Sequence, residues 1–162
     1  MEFLKGGDFF NYLEVRKFRI PEDRAVKIAH QIATAIYYLH SFGIAHRDIK
    51  PENILMVNEE DDSQVKLVDF GLSKTFSPGE TCKEPFGTLC YVAPEILLQR
   101  SYDKSVDLWS LGVIIHLMVT GTLPFDHEDD REIARKTIYD EVNMNSSVWN
   151  KVSDDAKDLI LQ

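Results

Sequence analysis

The fold is decided by the stretch His46-Arg47-Asp48-Ile49-Lys50-Pro51-Glu52-Asn53, which places an acid, a cation and an amide close together. Three shorter motifs follow it in order: Asp69-Phe70-Gly71, Ala93-Pro94-Glu95 and Asp107-Leu108-Trp109-Ser110. Each of these short motifs is weak by itself. Their joint order and spacing are specific enough to exclude a chance match.

Helical patterns surround the first motif. Upstream, apolar residues recur with the period of one helix face at Ala25, Ile28, Ala29, Ile32, Ile36 and Leu39. Pro21 precedes that pattern and Gly43 ends it, as expected at the two ends of a helix. A shorter helix is predicted to start at Asp8, an N-cap type residue.

The pattern changes after the first motif. Two short apolar runs, 54–57 and 65–68, are separated by an acidic stretch and predict a β-hairpin. Residues 71–92 show no period and predict a long functional loop. Residues 105–119 are apolar on nearly all sides, which predicts a helix buried all round. Further helices are predicted over 129–142 and after Ser153, so one mainly α domain with a small β-hairpin is expected.

Composition narrows the class of protein. The 162 residues have 44% hydrophobic content and a net charge of −9, which argues against nucleic acid as a partner. The longest apolar stretch, 111–119, is far shorter than the ~20 residues of a membrane span. Cys82 and Cys90 have neither disulfide nor zinc-site spacing, which favours the reducing cytoplasm.

The side chains of these motifs suit phosphoryl transfer. This chemistry needs an oriented hydroxyl, a divalent cation on the phosphates and positive charge near the transferred group. Asp48 supplies a carboxylate that can accept the hydroxyl proton, and Lys50 supplies the positive charge. Asn53 and Asp69 offer the hard oxygen ligands that Mg²⁺ prefers.

Together, the motifs resemble those of the eukaryotic protein kinases, and most closely those of calcium/calmodulin-dependent and calcium-dependent kinases. The resemblance implies a serine/threonine kinase that uses ATP and Mg²⁺. Asp48, Lys50 and Asn53 would be catalytic together with Thr88, which in the family bonds the Asp48/Lys50 pair. Asn53 and Asp69 would hold the metal.

The resemblance also implies a domain layout. It covers residues 1–162 as a partial kinase domain, the C-terminal lobe only, with a hinge at 1–7, a catalytic loop at 46–53, an activation segment at 69–95 and an end inside a late helix. These residues include neither a GxGxxG loop nor a V-A-I-K strand. The small N-lobe is therefore absent from them, and we expect one to be needed in cis or in trans.

Nucleotide contacts follow from the same alignment. The backbone of Glu2 and Leu4 would face adenine, Leu55 would pack on it, and Asp8 would reach the ribose or a basic substrate side chain. A capped helix start explains Asp8 nearly as well. The remaining predicted nucleotide-site residues come from the two central motifs: Lys50, Glu52, Asn53 and Asp69.

Regulation and substrates yield further expectations. Asp8, Glu52 and the acidic charge predict protein substrates with Arg or Lys before the target Ser or Thr. Arg47 is expected to pair with Glu84, which stands where many kinases carry a phosphorylated residue. Structural roles are expected for His46, Phe70, Glu95, Asp107 and Trp109. The alternative is a catalytically silent kinase-fold protein that binds substrates or another kinase as a scaffold.

Overall fold

Helices dominate the computed structural model, which describes residues 4–58 and 64–162. They are α1 (Phe9–Val15), α2 (Glu22–Ser41), α3 (Pro94–Leu97), α4 (Val106–Thr120), α5 (Asp130–Tyr139) and α6 (Asp154–Leu161). The strands are β1 (Ile44–Ala45), β2 (Ile54–Met56), β3 (Val65–Leu67) and β4 (Lys74–Thr75). Within the described ranges, no helix is both long enough and apolar enough to cross a bilayer. The predicted class, mainly α with a small β-hairpin, is confirmed.

Helix α4 is the centre of the core. Ile114 and Met118 are fully buried, and the helix has buried residues on every side. Helix α2 packs against it with the apolar face that the sequence pattern predicts, through Ile28, Ile32 and Ile36. The prediction of a central buried helix and an amphipathic partner is confirmed.

The C-terminal end of α2 feeds directly into the 46–53 loop. Gly43 has φ +72° and lies against residue 76, where an added Cβ would be 2.6 Å from the carbonyl oxygen of Phe76. Only glycine fits this left-handed, crowded position. The next two residues form β1, which pairs antiparallel with β4. The predicted 71–92 loop therefore contains one short strand, too short for a periodic signal.

The predicted hairpin is present as β2 and β3. Ile54 pairs with Leu67 and Met56 pairs with Val65 in antiparallel register. Residues 59–63 of the predicted turn lie outside the described residues. The amide of Met56 also donates to the carbonyl of Gly7 at 2.9 Å, so the N-terminal segment runs beside β2.

Helix α5 is shorter than predicted. The prediction covered 129–142, whereas the helix ends at Tyr139 and Asp140 is extended. Arg135 donates to both carboxylate oxygens of Asp140, at 2.9 and 3.3 Å. The extended chain beyond this point brings Val142 and Met144 against the core, so burial of apolar side chains outweighs helix continuation.

A buried histidine in α4 predicts a pH-dependent stability. His116 is 5% exposed and its Nδ1 donates to the carbonyl of Thr122 at 2.8 Å. Burial lowers the pKa of His116 below its ordinary value of 6.5, although this hydrogen bond acts in the opposite direction. The unfolded chain therefore takes up a proton near pH 6.5 while the folded chain does not. The free energy of unfolding should fall as the pH drops below about 6.5, by at most ~1.4 kcal/mol per pH unit.

Urea denaturation between pH 5 and pH 8 measures this dependence. His116→Phe keeps a ring that can pack and should flatten the pH dependence, whatever its effect on absolute stability. His30→Gln replaces an exposed histidine and is the matched control. An equally steep pH dependence in wild type and His116→Phe would contradict the assignment.

Candidate active site

Three predicted site residues meet at one point. The Thr88 hydroxyl donates to Asp48 Oδ1 at 2.9 Å and accepts from Lys50 Nζ at 2.8 Å. Lys50 Nζ also lies 3.1 Å from Asp48 Oδ2. The side chains of Asp48 and Lys50 are 12% and 21% exposed, so the cluster is largely shielded yet open to a reactant. Residues 40 positions apart are thus joined, as the family resemblance implies.

Asn53 holds Asp48 in this cluster through two hydrogen bonds. Its Nδ2 donates to the Asp48 backbone carbonyl at 2.8 Å and to Asp48 Oδ2 at 3.0 Å. The side chain is fixed by these two bonds and by burial, since Asn53 is 7% exposed. An amide that donates through its nitrogen keeps its carbonyl oxygen as an acceptor or metal ligand.

The backbone of the 46–53 loop is held from the core helix. Asp107 in α4 is 1% exposed and accepts from the amides of His46 and Arg47, both at 2.9 Å. The same carboxylate accepts from His40 Nε2 at 2.8 Å. Arg47 has φ +68°, a left-handed conformation that costs energy in a non-glycine residue. The buried carboxylate stabilises this turn and so sets the direction of Asp48.

His46 connects the loop to the segment after β3. Its Nδ1 accepts from the Asp48 amide at 3.3 Å, so its Nε2 must carry the proton donated to the Val68 carbonyl at 3.0 Å. The His46 ring is fully buried, as expected, and lies 5.1 Å from the Phe70 ring. The prediction of a packed Phe70 is wrong in part. Phe70 is 50% exposed even though its ring contacts that of His46.

Asp69 follows at the exposed edge of the site. Its φ is +62°, and its Oδ1 accepts from the Gly71 amide at 3.1 Å. No hydrogen bond reaches its Oδ2 from the described residues. Among the described residues, no three His, Cys, Asp or Glu side chains come together as a cage. The Asp69 carboxylate and Asn53 carbonyl fit Mg²⁺, which is usually held by one or two protein oxygens with substrate phosphates.

The predicted nucleotide contacts of the N-terminal segment divide into three groups. Glu2 lies outside the described residues. Leu4 and Leu55 are both partly buried, and Asp8 pairs with Leu55 through an isolated antiparallel bridge, so the segment does lie beside β2. Asp8 caps α1, accepting from the Asn11 amide at 2.8 Å and from Asn11 Nδ2 at 2.5 Å. The helix-cap alternative for Asp8 is therefore the one observed.

The expected contact between Arg47 and Glu84 is present but long. Arg47 Nη1 lies 3.5 Å from Glu84 Oε2, and the side chain of Glu84 is 61% exposed. Arg47 also donates through Nε to the Leu72 carbonyl at 2.6 Å and stacks over Phe86 at 4.2 Å. The guanidinium thus binds several groups of the 69–95 segment.

Carboxylates also surround the short 3₁₀ turn that follows Thr88. Burial raises the pKa of the Cys90 thiol, and nearby Asp126, Asp130 and Glu52 raise it further. Glu52 is exposed, and no described residue pairs with its carboxylate. This end of the site therefore carries negative charge.

Two residues of this network are missing from the sequence prediction. His40 belongs to no motif, although it bonds to Asp107 across 67 positions. Tyr102, which is 3% exposed, donates to the Glu84 carbonyl at 2.7 Å. Neither residue has a local pattern that marks it, because each partner lies on a distant segment.

Comparison with known proteins agrees with the motifs. The family described as the protein kinase domain matches residues 1–162. The chain is 40% identical over 162 residues to calcium-dependent protein kinase 12 of Oryza sativa subsp. japonica, covering 100% of this chain and 30% of that protein. It is 40% identical over 160 residues to calcium/calmodulin-dependent protein kinase type 1 of Caenorhabditis briggsae, covering 99% of this chain and 44% of that protein. The chain thus spans less than half the length of either relative. It belongs to the protein kinase domain family.

Proposed function

We propose that the chain is the catalytic region of a serine/threonine protein kinase, which transfers the γ-phosphate of ATP to Ser or Thr of protein substrates. The observation that carries the proposal is the Thr88 hydroxyl held between Asp48 and Lys50. Both cysteines are free thiols, which supports the cytoplasm as the compartment.

Asp48 is the group that accepts the substrate proton. Its carboxylate already accepts from Thr88 and Asn53, so its direction is fixed before a substrate arrives. A substrate hydroxyl within hydrogen-bond reach passes its proton to this carboxylate as its oxygen bonds to the γ-phosphorus of ATP. The bond between that phosphorus and the bridging oxygen breaks in the same step, and ADP leaves. Fixing the acceptor in advance removes the entropy cost of orienting it.

Lys50 supplies positive charge at the same place. Its ammonium lies between Asp48 and Thr88, and it retains a third donor for a phosphate oxygen. The donated bonds leave the charge in place, so Lys50 stabilises the negative charge on the transferred group. Thr88 therefore positions both side chains for the reaction.

Asn53 and Asp69 are the residues that would hold Mg²⁺. The side-chain oxygen of Asn53 and Oδ2 of Asp69 accept no hydrogen bond from the described residues, so both are available as ligands. When bound, the ion neutralises charge on the phosphates and keeps them in line with the acceptor hydroxyl. Asn53 then links the metal to Asp48, because the same amide bonds to that carboxylate.

A variant that lacks the Thr88 hydroxyl tests the proposal. Thr88→Val keeps the side-chain shape and removes the hydroxyl that bonds to both Asp48 and Lys50. The direct contact between Lys50 and Asp48 remains, so kcat should fall by about 10- to 100-fold rather than to zero. The rate is measured as Mg²⁺- and ATP-dependent phosphorylation of a Ser peptide, with a protein kinase small lobe joined before residue 1. Asp48→Asn serves as the inactive reference.

The control for that experiment is Thr34→Val, on an exposed face of α2 where the hydroxyl bonds only to the His30 carbonyl at 2.7 Å. It should leave kcat unchanged. Equal rates in wild type and Thr88→Val would refute the proposed role of the threonine. Undiminished transfer in Asp48→Asn would refute the mechanism.

The substrate prediction now rests on Glu52. Asp8 is engaged as a helix cap, whereas Glu52 is open and lies in the acidic region near Cys90. Peptides with Arg or Lys before the target Ser should be preferred. Glu52→Gln should raise KM for such peptides about two- to fivefold, the range for an exposed charge pair.

A peptide library with varied residues before the target measures this preference. Glu14→Gln, on the exposed side of α1, is the matched control and should keep the wild-type selectivity. Asp8→Asn keeps a side-chain oxygen that can cap α1 and should leave selectivity unchanged. If Glu52→Gln and wild type rank basic and neutral peptides alike, Glu52 is not the recognising group.

A further inference from the structure

The buried side chain of Arg47 contacts mainly neutral groups. The Arg47 side chain is 7% exposed. Among the described residues it is paired with one carboxylate, that of Glu84, at 3.5 Å, and the Glu84 side chain is 61% exposed. A contact of that length with a solvated carboxylate is weak. The well-formed hydrogen bonds of the guanidinium go to the Leu72 carbonyl at 2.6 Å and to the Tyr102 hydroxyl at 3.2 Å.

The Tyr102 hydroxyl uses both of its hydrogen-bonding roles. A carbonyl oxygen can only accept, so the O–H must point to the Glu84 carbonyl, 2.7 Å away. The oxygen lone pairs are then free to accept from Arg47 Nη1. Burial raises the pKa of the phenol, although Arg47 acts in the opposite direction. The hydroxyl therefore remains a donor at neutral pH.

Tyr102 itself is fixed from two directions. Its amide and carbonyl exchange hydrogen bonds with those of Cys82, at 2.9 and 2.8 Å. A few residues later, Lys104 donates to the His40 carbonyl at 2.8 Å, and Asp107 holds the amides at the start of the 46–53 loop. The strap of residues 102–107 thus connects the 69–95 segment to the helix that positions Asp48.

Residues 84–88 connect the Tyr102 hydrogen bond to the reacting groups. Four residues after Glu84, Thr88 bonds to Asp48 and Lys50. Gly87 between them has φ +105°, and a Cβ there would lie 3.1 Å from the Arg47 carbonyl. The stretch 84–88 is therefore attached at both ends, at Tyr102 and at the reacting groups.

We propose that Tyr102 is a positioning residue: its hydroxyl ties the carbonyl of Glu84 to the guanidinium of Arg47, and so holds Thr88 at Asp48 and Lys50 without requiring an anion on the 69–95 segment. The tie itself follows from the hydrogen bonds alone. Its effect on phosphate transfer rests on the proposed function.

Hydrogen exchange on the 162-residue chain tests the tie directly. Tyr102→Phe keeps the ring and the backbone pairing with Cys82 and removes the hydroxyl. Amides of residues 83–91 should exchange about tenfold faster, since the variant leaves buried partners without a hydrogen bond. Tyr139→Phe is the control, because Tyr139 is 73% exposed and its hydroxyl has no partner among the described residues. Unchanged exchange in Tyr102→Phe overturns the proposal.

Glu84→Gln separates the neutral tie from an ionic one. It removes the charge while leaving the backbone carbonyl that Tyr102 binds, so exchange over 83–91 should change less than in Tyr102→Phe. If Glu84→Gln accelerates exchange tenfold and Tyr102→Phe does not, the anion holds the segment and the proposal is wrong.

Kinetics test whether the tie positions the site. With a small lobe joined before residue 1, Tyr102→Phe should lower kcat several-fold and leave KM for ATP unchanged, because its effect passes through Thr88. Faster exchange with an unchanged kcat would reduce Tyr102 to a structural residue and overturn the positioning role. If the wild-type fusion transfers no phosphate, the proposed function fails, and the exchange data still decide whether the tie exists.

Discussion

Joining a protein kinase small lobe before residue 1 is expected to raise Mg²⁺- and ATP-dependent phosphate transfer by orders of magnitude over the 162-residue chain. The Thr88 hydroxyl already joins Asp48 to Lys50, so proton acceptor and positive charge are in place. The 162 residues contain no GxGxxG loop and no V-A-I-K lysine to hold the other phosphates. Each such preorganised stabiliser contributes about 10²–10³ in rate, and several are added together with enclosure from water.

Phosphorylation of a Ser peptide by the two proteins, at equal concentration and saturating ATP, measures the difference. Asp69→Ala in the fusion should abolish transfer, because it removes the carboxylate proposed to hold Mg²⁺. Ordinary kinase rates from the 162-residue chain, lost in Asp48→Ala, would contradict the expectation. A fusion that binds ATP but transfers nothing would favour the scaffold alternative.

The 46–53 motif predicts which side chains come together because it is a single short stretch of chain. Asp48, Lys50 and Asn53 lie on one short loop, so their relative positions depend on few torsion angles. Thr88 is predicted only through the family resemblance, since no periodicity connects it to Asp48 across 40 positions. The buried helix α4 and the hairpin follow from continuous apolar runs, and α2 follows from apolar periodicity. Each pattern reflects how much of the element is buried.

The supporting network could not be predicted from the sequence. His40 occupies the last turn of α2 and is indistinguishable from a surface histidine until α4 is packed beside it. The pairing of β1 with β4 involves strands of two residues, which carry no alternation. For Asp8, a helix cap and a ligand contact predict the same residue type, and the bonds to Asn11 show that it is a cap.

Asp107→Asn should be among the most destabilising single substitutions in the core. The buried carboxylate accepts three hydrogen bonds, from the amides of His46 and Arg47 and from His40. Asparagine keeps one acceptor oxygen and turns an NH₂ group toward a donor, which leaves buried donors unpaired. Hydrogen bonds to buried charged groups contribute about 1.5–3 kcal/mol each, so a loss of roughly 3–5 kcal/mol is expected.

Thermal and urea unfolding followed by circular dichroism measure this loss, which corresponds to a Tm lower by about 10 °C for a domain of this size. Asp23→Asn, exposed in the first turn of α2, is the matched control and should shift stability by less than about 1 kcal/mol. Asp107 also stabilises the left-handed backbone of Arg47. Folded Asp107→Asn protein should therefore show faster amide exchange at residues 46–48 than at the buried turns of α2. Equal stability of the two variants would mean that the loop is held by its own sequence, and that α4 contributes packing alone.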